Sequence, residues 1–198
     1  MATQFLTMRL AFVFLATLFS LNSCNSDYSP KPRAYHRILF PEKQYSLSAT
    51  QGCPFTFEIP QYSQLLDDTN KGSQPCWKNL DFNAYNARLH LSYFKISSEA
   101  PLEQLTEDAR SFVFKHTAKA TAIDQQPISI PETGVTGLQY TIQGNTASNI
   151  QFYVTDSEKH YLRGALYFNE RPNLDSIQPV LDFLKTDIQH IINTIRWK

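Results

Sequence analysis

The charge-free stretch from Thr133 to Thr155 sets the strongest constraint on how this chain folds. Its 23 residues contain two runs of alternating apolar and polar side chains, separated by the turn-type sequence GNTAS at 144–148. An antiparallel sheet that faces water on one side normally carries charge there. The stretch therefore predicts either helices that cover both faces of the sheet or a surface that docks on another protein.

The segments around this hairpin predict further strands and two helices. Four of them alternate as strands do: 55–59, 87–94, 122–130 and 160–169. Apolar spacings of three and four residues predict a helix over 101–118 and a C-terminal helix from Pro179. The predicted buried stripes of the two helices are Leu102, Leu105, Ala109, Phe112 and His116, and Val180, Leu184, Ile188, Ile191 and Ile195.

This order of elements predicts an α+β fold in which helices pack on an antiparallel β-sheet. Strands come first, then a helix, then three or four strands and a final helix. Pro127 weakens the segment 122–130 as a strand, because proline cannot donate to the hydrogen-bond ladder. The element order resembles the PsbP/Mog1 type of sandwich, a resemblance that implies a fold and no activity.

The first 23 residues read as a signal peptide. Leu10–Leu21 is a twelve-residue run without charge, preceded by Arg9, and this length suits a signal-peptide core rather than a membrane span. The sequence LNSC ending at Cys24 resembles a bacterial lipobox, although Asn22 departs from the usual small residue. We expect Cys24 to be the lipidated N-terminus of the mature chain, acylated with palmitate-type chains. A plain secretory signal with an incidental cysteine is the alternative.

The chain after Cys24 predicts a tether followed by one domain. Residues 24–37 are polar and proline-rich, which is typical of a linker, and 38–198 carry the predicted elements. Removing residues 1–23 leaves 17 Lys and Arg against 18 Asp and Glu, since Arg9 is lost from 18 against 18. This balance gives no electrostatic case for binding nucleic acid.

Two cysteines remain once Cys24 is assigned to lipid. In an oxidising compartment we expect Cys53 and Cys76 to form a disulfide, which closes a loop of about 24 residues. A reactive thiol is the competing interpretation, and no CxxC spacing supports it.

No catalytic or metal-binding motif stands out. The five histidines are isolated, and no HExxH, GxSxG, GxGxxG or phosphate-loop pattern occurs. We therefore expect no cofactor, no metal and no enzymatic activity, although a site assembled from distant residues stays open. Arg163 lies between Tyr161 and Tyr167 in the segment HYLRGALYFN, and these three residues are a candidate partner surface. The alternative is structural stacking of the arginine on the aromatic rings.

Three long segments resemble the gliding-motility lipoprotein GldD family of the Bacteroidetes. They are YSPKPRAYHRILFPEKQY, CPFTFEIPQY with the following PCW, and the run from GNTASNIQFYVTDSEKHYLRGALYFN to FLKTDI. The resemblance covers nearly the whole mature chain, 28–188. It implies a role in surface gliding and in the type IX secretion system, together with a membrane-protein partner of the same motility set. It assigns no catalytic residue.

The sequence therefore predicts a non-enzymatic lipoprotein, anchored in a membrane and facing the periplasm, that serves the gliding and secretion machinery. The choice between inner and outer membrane stays open. The alternative, from another class of function, is a periplasmic enzyme or small-ligand-binding domain whose pocket is built from dispersed polar residues.

Overall fold

The computed structural model describes residues 37–198. The predicted signal peptide, the lipidation site at Cys24 and, apart from Arg37, the predicted tether lie outside these residues. Ile38–Lys198 forms one compact unit.

Eleven strands and two α-helices make up the described chain. The strands are β1 (Tyr45–Leu47), β2 (Phe55–Thr56), β3 (Glu58–Pro60), β4 (Gln64–Asp67), β5 (Lys78–Phe82), β6 (Ala87–Lys95), β7 (Ala120–Ile130), β8 (Val135–Gly144), β9 (Ile150–Thr155), β10 (His160–Phe168) and β11 (Arg196–Trp197). The helices are α1 (Leu102–Phe114) and α2 (Leu174–Thr194). Short 3₁₀ turns cover Asn83–Tyr85, Lys115–Ala118 and Pro131–Thr133.

Seven of these strands form one antiparallel sheet in the order β4-β5-β6-β10-β9-β8-β7. Two small ladders, β1 with β3 and β2 with β11, lie beside it. The segment 55–60 is split at Phe57 because its two halves pair with different strands, the C-terminal β11 and the N-terminal β1. The predicted α+β class, a sheet packed with helices, is confirmed.

The main core lies between the sheet and α2. Alternate side chains of the central strands enter it, among them Leu80, Leu89, Phe152 and Leu166, and each is at most 1% exposed. The predicted α2 stripe is largely confirmed, since Leu184, Ile188, Ile191 and Ile195 are buried with Leu181 and Ile192, while Val180 is partly buried.

Helix α1 covers part of the opposite sheet face. A second cluster forms there from Val113, Tyr140 and Ile142, with Leu138 and Tyr153 packed against it. Both faces of the charge-free stretch are therefore occupied: Ile150, Phe152 and Val154 lie on the α2 side, and the second cluster lies under α1. This coverage accounts for the missing charges without a docking surface.

The predicted stripe of α1 is wrong in its last turn. Leu105 and Ala109 are buried as predicted, but Val113 follows them into the core, whereas Phe112 is 42% exposed. The helix also ends at Phe114, and a 3₁₀ turn carries His116. The buried residues Leu105, Ala109 and Val113 are each four positions apart, whereas the predicted stripe alternated between spacings of three and four residues.

Two prolines lie inside regular elements, Pro127 where the sequence predicted a weakened strand and Pro179 where it predicted the start of a helix. Pro127 lies inside the eleven-residue β7, which is tolerated because β7 is an edge strand of the sheet. Pro179 lies inside α2, which begins five residues before the predicted start. The amide of Leu174 at the new start donates to Oδ1 of Asn145, at 2.7 Å.

The hairpin between β9 and β10 is organised by Asp156. Its Oδ1 accepts backbone N–H groups from Glu158, Lys159 and His160, at 2.8–3.0 Å. Burial acts to raise the pKa of Asp156, but these backbone donors outweigh burial and leave its pKa below the ordinary value. Asp156 therefore serves the turn.

We expect Asp156→Ala to lower the free energy of unfolding by about 1 kcal/mol at neutral pH, since a capping side chain contributes about that much. A depressed pKa in the folded state stabilises the fold above the ordinary value near 3.9, and that contribution is lost as the pH falls through the folded pKa. Urea unfolding from pH 3 to pH 7 measures the difference. Asp156→Asn retains the acceptor oxygen and is the control; equal losses in both variants at pH 7 would contradict the turn role.

Candidate functional site

Helix α1 covers only part of the sheet face on which it packs. A polar groove lies on the uncovered part of that face. Two adjoining cavities form it, one of about 480 Å³ and one of about 290 Å³, and both are lined by His90 and Tyr167. The larger also contacts Asp81 and Arg88, and the smaller also contacts Arg163. We call this region the polar groove, and it is the candidate functional site.

The floor of the polar groove follows from the strand register. Asn79 on β5 pairs with His90 on β6, His90 pairs with Ala165 on β10, and Ala165 pairs with Gln151 on β9. These four residues form one cross-strand row. Ala165 is the smallest of them, so its position leaves room between the longer side chains on either side.

Two ion pairs border the polar groove. Arg88 donates to both carboxylate oxygens of Asp81, at 2.5 and 2.7 Å, and this contact raises the pKa of the guanidinium. Lys78 pairs with Asp67. These four charges are therefore matched within the protein.

His90 is a neutral imidazole near neutral pH. Burial lowers its pKa, and the nearby Arg88 lowers it further, against weaker opposite effects of Asp68 and Asp81. Because the ordinary value is about 6.5, a lowered pKa leaves little protonated form at pH 7. The side chain can then both donate and accept hydrogen bonds in the groove.

Arg163 faces the smaller cavity from β10. Its Nη2 donates to Oε1 of Gln151 at 2.9 Å, and its guanidinium carbon lies 4.5 Å from the ring centroid of Phe112 on α1. Burial lowers its pKa, although guanidinium groups keep their proton at neutral pH. Among residues 37–198, Arg163 has no carboxylate within ion-pair distance.

The three residues of the candidate partner surface separate into two environments. Arg163 and Tyr167 are partly exposed and line the groove. Tyr161 is 1% exposed, its ring stacks on Tyr153, and its hydroxyl donates to the carbonyl of Leu105 at 2.9 Å. The prediction is therefore wrong for Tyr161, because α1 covers its end of β10.

A disulfide supports the rim of the groove. Cys53 and Cys76 are joined, with their Cα atoms 5.5 Å apart. The next residue, Trp77, donates its indole N–H to the carbonyl of Tyr93 at 2.9 Å and lines the smaller cavity. The bridge therefore ties the loop before β5 to the segment before β2.

A buried carboxylate on α2 forms a second polar centre, which we call the Asp187 cluster. Asp187 is fully buried; it accepts from the hydroxyls of Tyr45 and Tyr62 and pairs with Lys43 at 2.7 Å. Burial lowers the pKa of Lys43 and, with Asp187, raises those of both tyrosines. The ammonium also lies 3.4 Å from the ring centroid of Phe183. The cluster fastens the N-terminal segment to α2.

Sequence reasoning missed both the groove and this cluster. The groove depends on register, since the hairpin β5-β6, with Asn79 and His90, meets the distant hairpin β9-β10, with Gln151, only through the pairing of β6 with β10. The cluster had a local signal, because Asp187 falls between Leu184 and Ile188 on the apolar side of α2. Its partner Lys43 lies 144 positions earlier in the chain, and no sequence pattern joins the two.

Metal-ligand clusters and membrane-spanning helices are both absent from residues 37–198. No group of three or more His, Cys, Asp or Glu side chains within this range is placed to hold a metal ion. Neither helix in the same range is both long and apolar enough to cross a bilayer.

Comparison with known proteins identifies a family. The solution structure of cyanobacterial PsbP (CyanoP) from Synechocystis is similar at 11% sequence identity and a TM-score of 0.45, over 86% of this chain and 100% of that one. No curated protein matches the chain. Residues 25–197 match the family described as gliding motility lipoprotein GldD, which is nearly the whole sequence. The chain therefore belongs to the gliding motility lipoprotein GldD family.

Proposed function

We propose that this protein is a non-enzymatic accessory or assembly factor of the gliding motility and type IX secretion machinery. It is held on a membrane through lipid at Cys24, faces the periplasm, and acts through contact with a membrane-protein partner. The family match over 25–197 carries this proposal, because a gliding motility lipoprotein needs an anchor and a folded domain.

The chemistry of the polar groove supports a binding role. Activated nucleophiles are recognised by a hydrogen bond to a base. Within residues 37–198, the histidines that form side-chain to side-chain hydrogen bonds are His160, with Tyr93, and His190, with Glu58, so none joins His90 to a serine, threonine or cysteine. The charged groups Asp81 and Arg88 are engaged with each other.

A second candidate function is a periplasmic enzyme or a small-ligand-binding domain. The observation that favours it is the polar groove itself, where His90, Tyr167 and Arg163 converge from two strands on a cavity of about 290 Å³. Dispersed polar residues with a half-buried histidine are what such a site would use.

We expect His90→Gln to leave secretion and surface spreading near wild-type levels. Glutamine retains hydrogen bonding but cannot transfer a proton at neutral pH, and removal of a catalytic base costs a rate factor of at least about 10². Both phenotypes are measured in a strain in which the variant replaces the native gene, beside protein abundance and thermal stability. Cys24→Ser, which removes the predicted anchor, is the reference for loss of function.

The enzymatic alternative is supported if His90→Gln abolishes both phenotypes while protein abundance, melting temperature and membrane crosslinks stay unchanged. Crosslinking in membranes with the wild-type protein, followed by identification of the co-purified chain, tests the partner. An accessory factor yields one dominant membrane-protein adduct; absence of any adduct counts against the proposal.

A further inference from the structure

We infer that the smaller cavity of the polar groove binds a short peptide in its zwitterionic form, with the carboxylate on Arg163 and the ammonium at Asp68 and Asn79. The inference is independent of the proposed motility role, because it concerns binding by the purified protein. It gives a ligand class to the second candidate function.

The charges of the cavity are arranged as a dipole. Lys78 is matched by Asp67, so Asp68 and Arg163 are the lining charges that lack an ion-pair partner within residues 37–198. Asp68 follows β4, and its amide donates to the carbonyl of Trp77 at 3.0 Å, which places it on the β4-β5 side. Arg163 lies on β10, two strands from β5 and three strands from β4. A ligand with opposite charges at its ends complements both.

Two buried polar atoms without partners reinforce this polarity. Asn79 lines the cavity, is 5% exposed, and its Oδ1 has no hydrogen-bond partner within the described chain. Gln151 is 1% exposed, and its Nε2 likewise has none there, while its Oε1 accepts from Arg163. A spare acceptor thus lies near Asp68 and a spare donor near Arg163. Buried polar groups normally have partners, so the oxygen of Asn79, which lines the cavity, is available to accept from a ligand, while Gln151 orients Arg163 from outside the lining.

The spacing fits about three residues. Neighbouring strands are about 4.8 Å apart, so β10 lies about 14 Å from β4, which precedes Asp68, and about 10 Å from β5, the strand of Asn79. An extended tripeptide spans roughly the distance between β10 and β5, at about 3.3–3.6 Å per residue. Ala165 and His90 lie between the two ends and form the floor on which the middle of the peptide would rest.

Trialanine is the probe, and Trp77 reports its binding. Trp197→Phe leaves Trp77, which lines the cavity, as the one tryptophan of the two in the chain. We expect trialanine to change its fluorescence saturably, with a Kd of about 1 mM or tighter. Trialanine amide, which lacks the carboxylate, and N-acetyl-trialanine, which lacks the ammonium, should each bind at least about tenfold more weakly.

Three variants in the same background complete the test. Arg163→Gln should weaken trialanine binding about ten- to a hundredfold, because a hydrogen-bonded charge is lost. Arg110→Gln removes an arginine of α1 that lies outside the cavity lining and should bind as the parent does. Asn79→Leu should weaken binding yet retain or raise the melting temperature, by up to about 2–4 °C, because it removes an unpaired buried oxygen.

The inference is overturned if trialanine gives no saturable change, if the amide or the acetylated peptide binds as tightly, or if Arg163→Gln binds like the parent. Asn79→Leu is the control for the case in which Arg163→Gln fails to fold. If the stable Asn79→Leu protein has lost binding, the loss is due to the site and not to unfolding. Wild-type binding in a folded Asn79→Leu protein also overturns it. Motility measurements play no part here, so failure of this site leaves the proposed function to its own test.

Discussion

Replacing Asp187 with leucine is expected to lower the free energy of unfolding by about 3–5 kcal/mol, a large part of the stability of a domain this size. Asp187 is fully buried and is the shared acceptor for Lys43, Tyr45 and Tyr62. Its loss leaves an ammonium and two hydroxyls without their acceptor in a half-buried site. Urea unfolding followed by circular dichroism measures the loss.

A second substitution distinguishes two contributions to this loss of stability, the uncompensated charge of Lys43 and the lost packing around Asp187. Lys43→Met in the Asp187→Leu background removes the stranded ammonium, and replacing a whole buried pair with apolar groups is often neutral or stabilising. We therefore expect the double variant to regain a large part of the loss. Asp182→Leu, an exposed position on the same helix, is the matched control and should change stability little. A similar loss in Asp182→Leu, or no recovery in the double variant, would contradict this account.

The double variant Cys53→Ala, Cys76→Ala is expected to lower stability by about 2–5 kcal/mol. The bridge joins residues 23 apart in sequence and closes a loop that contains the short strands β2, β3 and β4. In the chain-entropy account, opening it frees the unfolded chain, and a loop of this size is worth about 3 kcal/mol. Urea unfolding with and without reductant provides the measurement.

The wild-type protein in reductant should approach the stability of the double variant, and the variant itself should be insensitive to reductant. Free thiols titrated in the native protein, or equal unfolding free energies with and without the bridge, would rule out this role. We also expect the emission of Trp77 to shift in the variant, because the neighbouring Cys76 anchors that side of the groove.

The elements were predictable where one local pattern decided them. Strands β6, β8, β9 and β10 appear at their predicted places because alternation there is uninterrupted. The end of α1 was not predictable from its pattern. A thirteen-residue helix has few turns, so the apolar spacing does not decide whether Phe112 or Val113 is the buried residue.

The candidate site was predictable only in part. Arg163 and Tyr167 were singled out because they share a strand face, and that face does line the groove. Tyr161 shares the face too, but α1 covers it, and no sequence pattern says how far along a strand a helix extends. Asn79 and Gln151 join the site through cross-strand pairing, which depends on the register of distant segments.

The two outer strands of the sheet have a consequence for how copies of this protein behave when crowded on a membrane. An unpaired strand edge is a template on which another chain can add its own backbone, and long regular edges favour aggregation. Here β4 has only four residues, and the longer β7 contains Pro127, which lacks an amide hydrogen. Neither edge offers an unbroken ladder of donors. Neighbouring copies are thereby kept from fusing edge to edge, and contacts with other chains fall to side chains on the sheet face and on the helices.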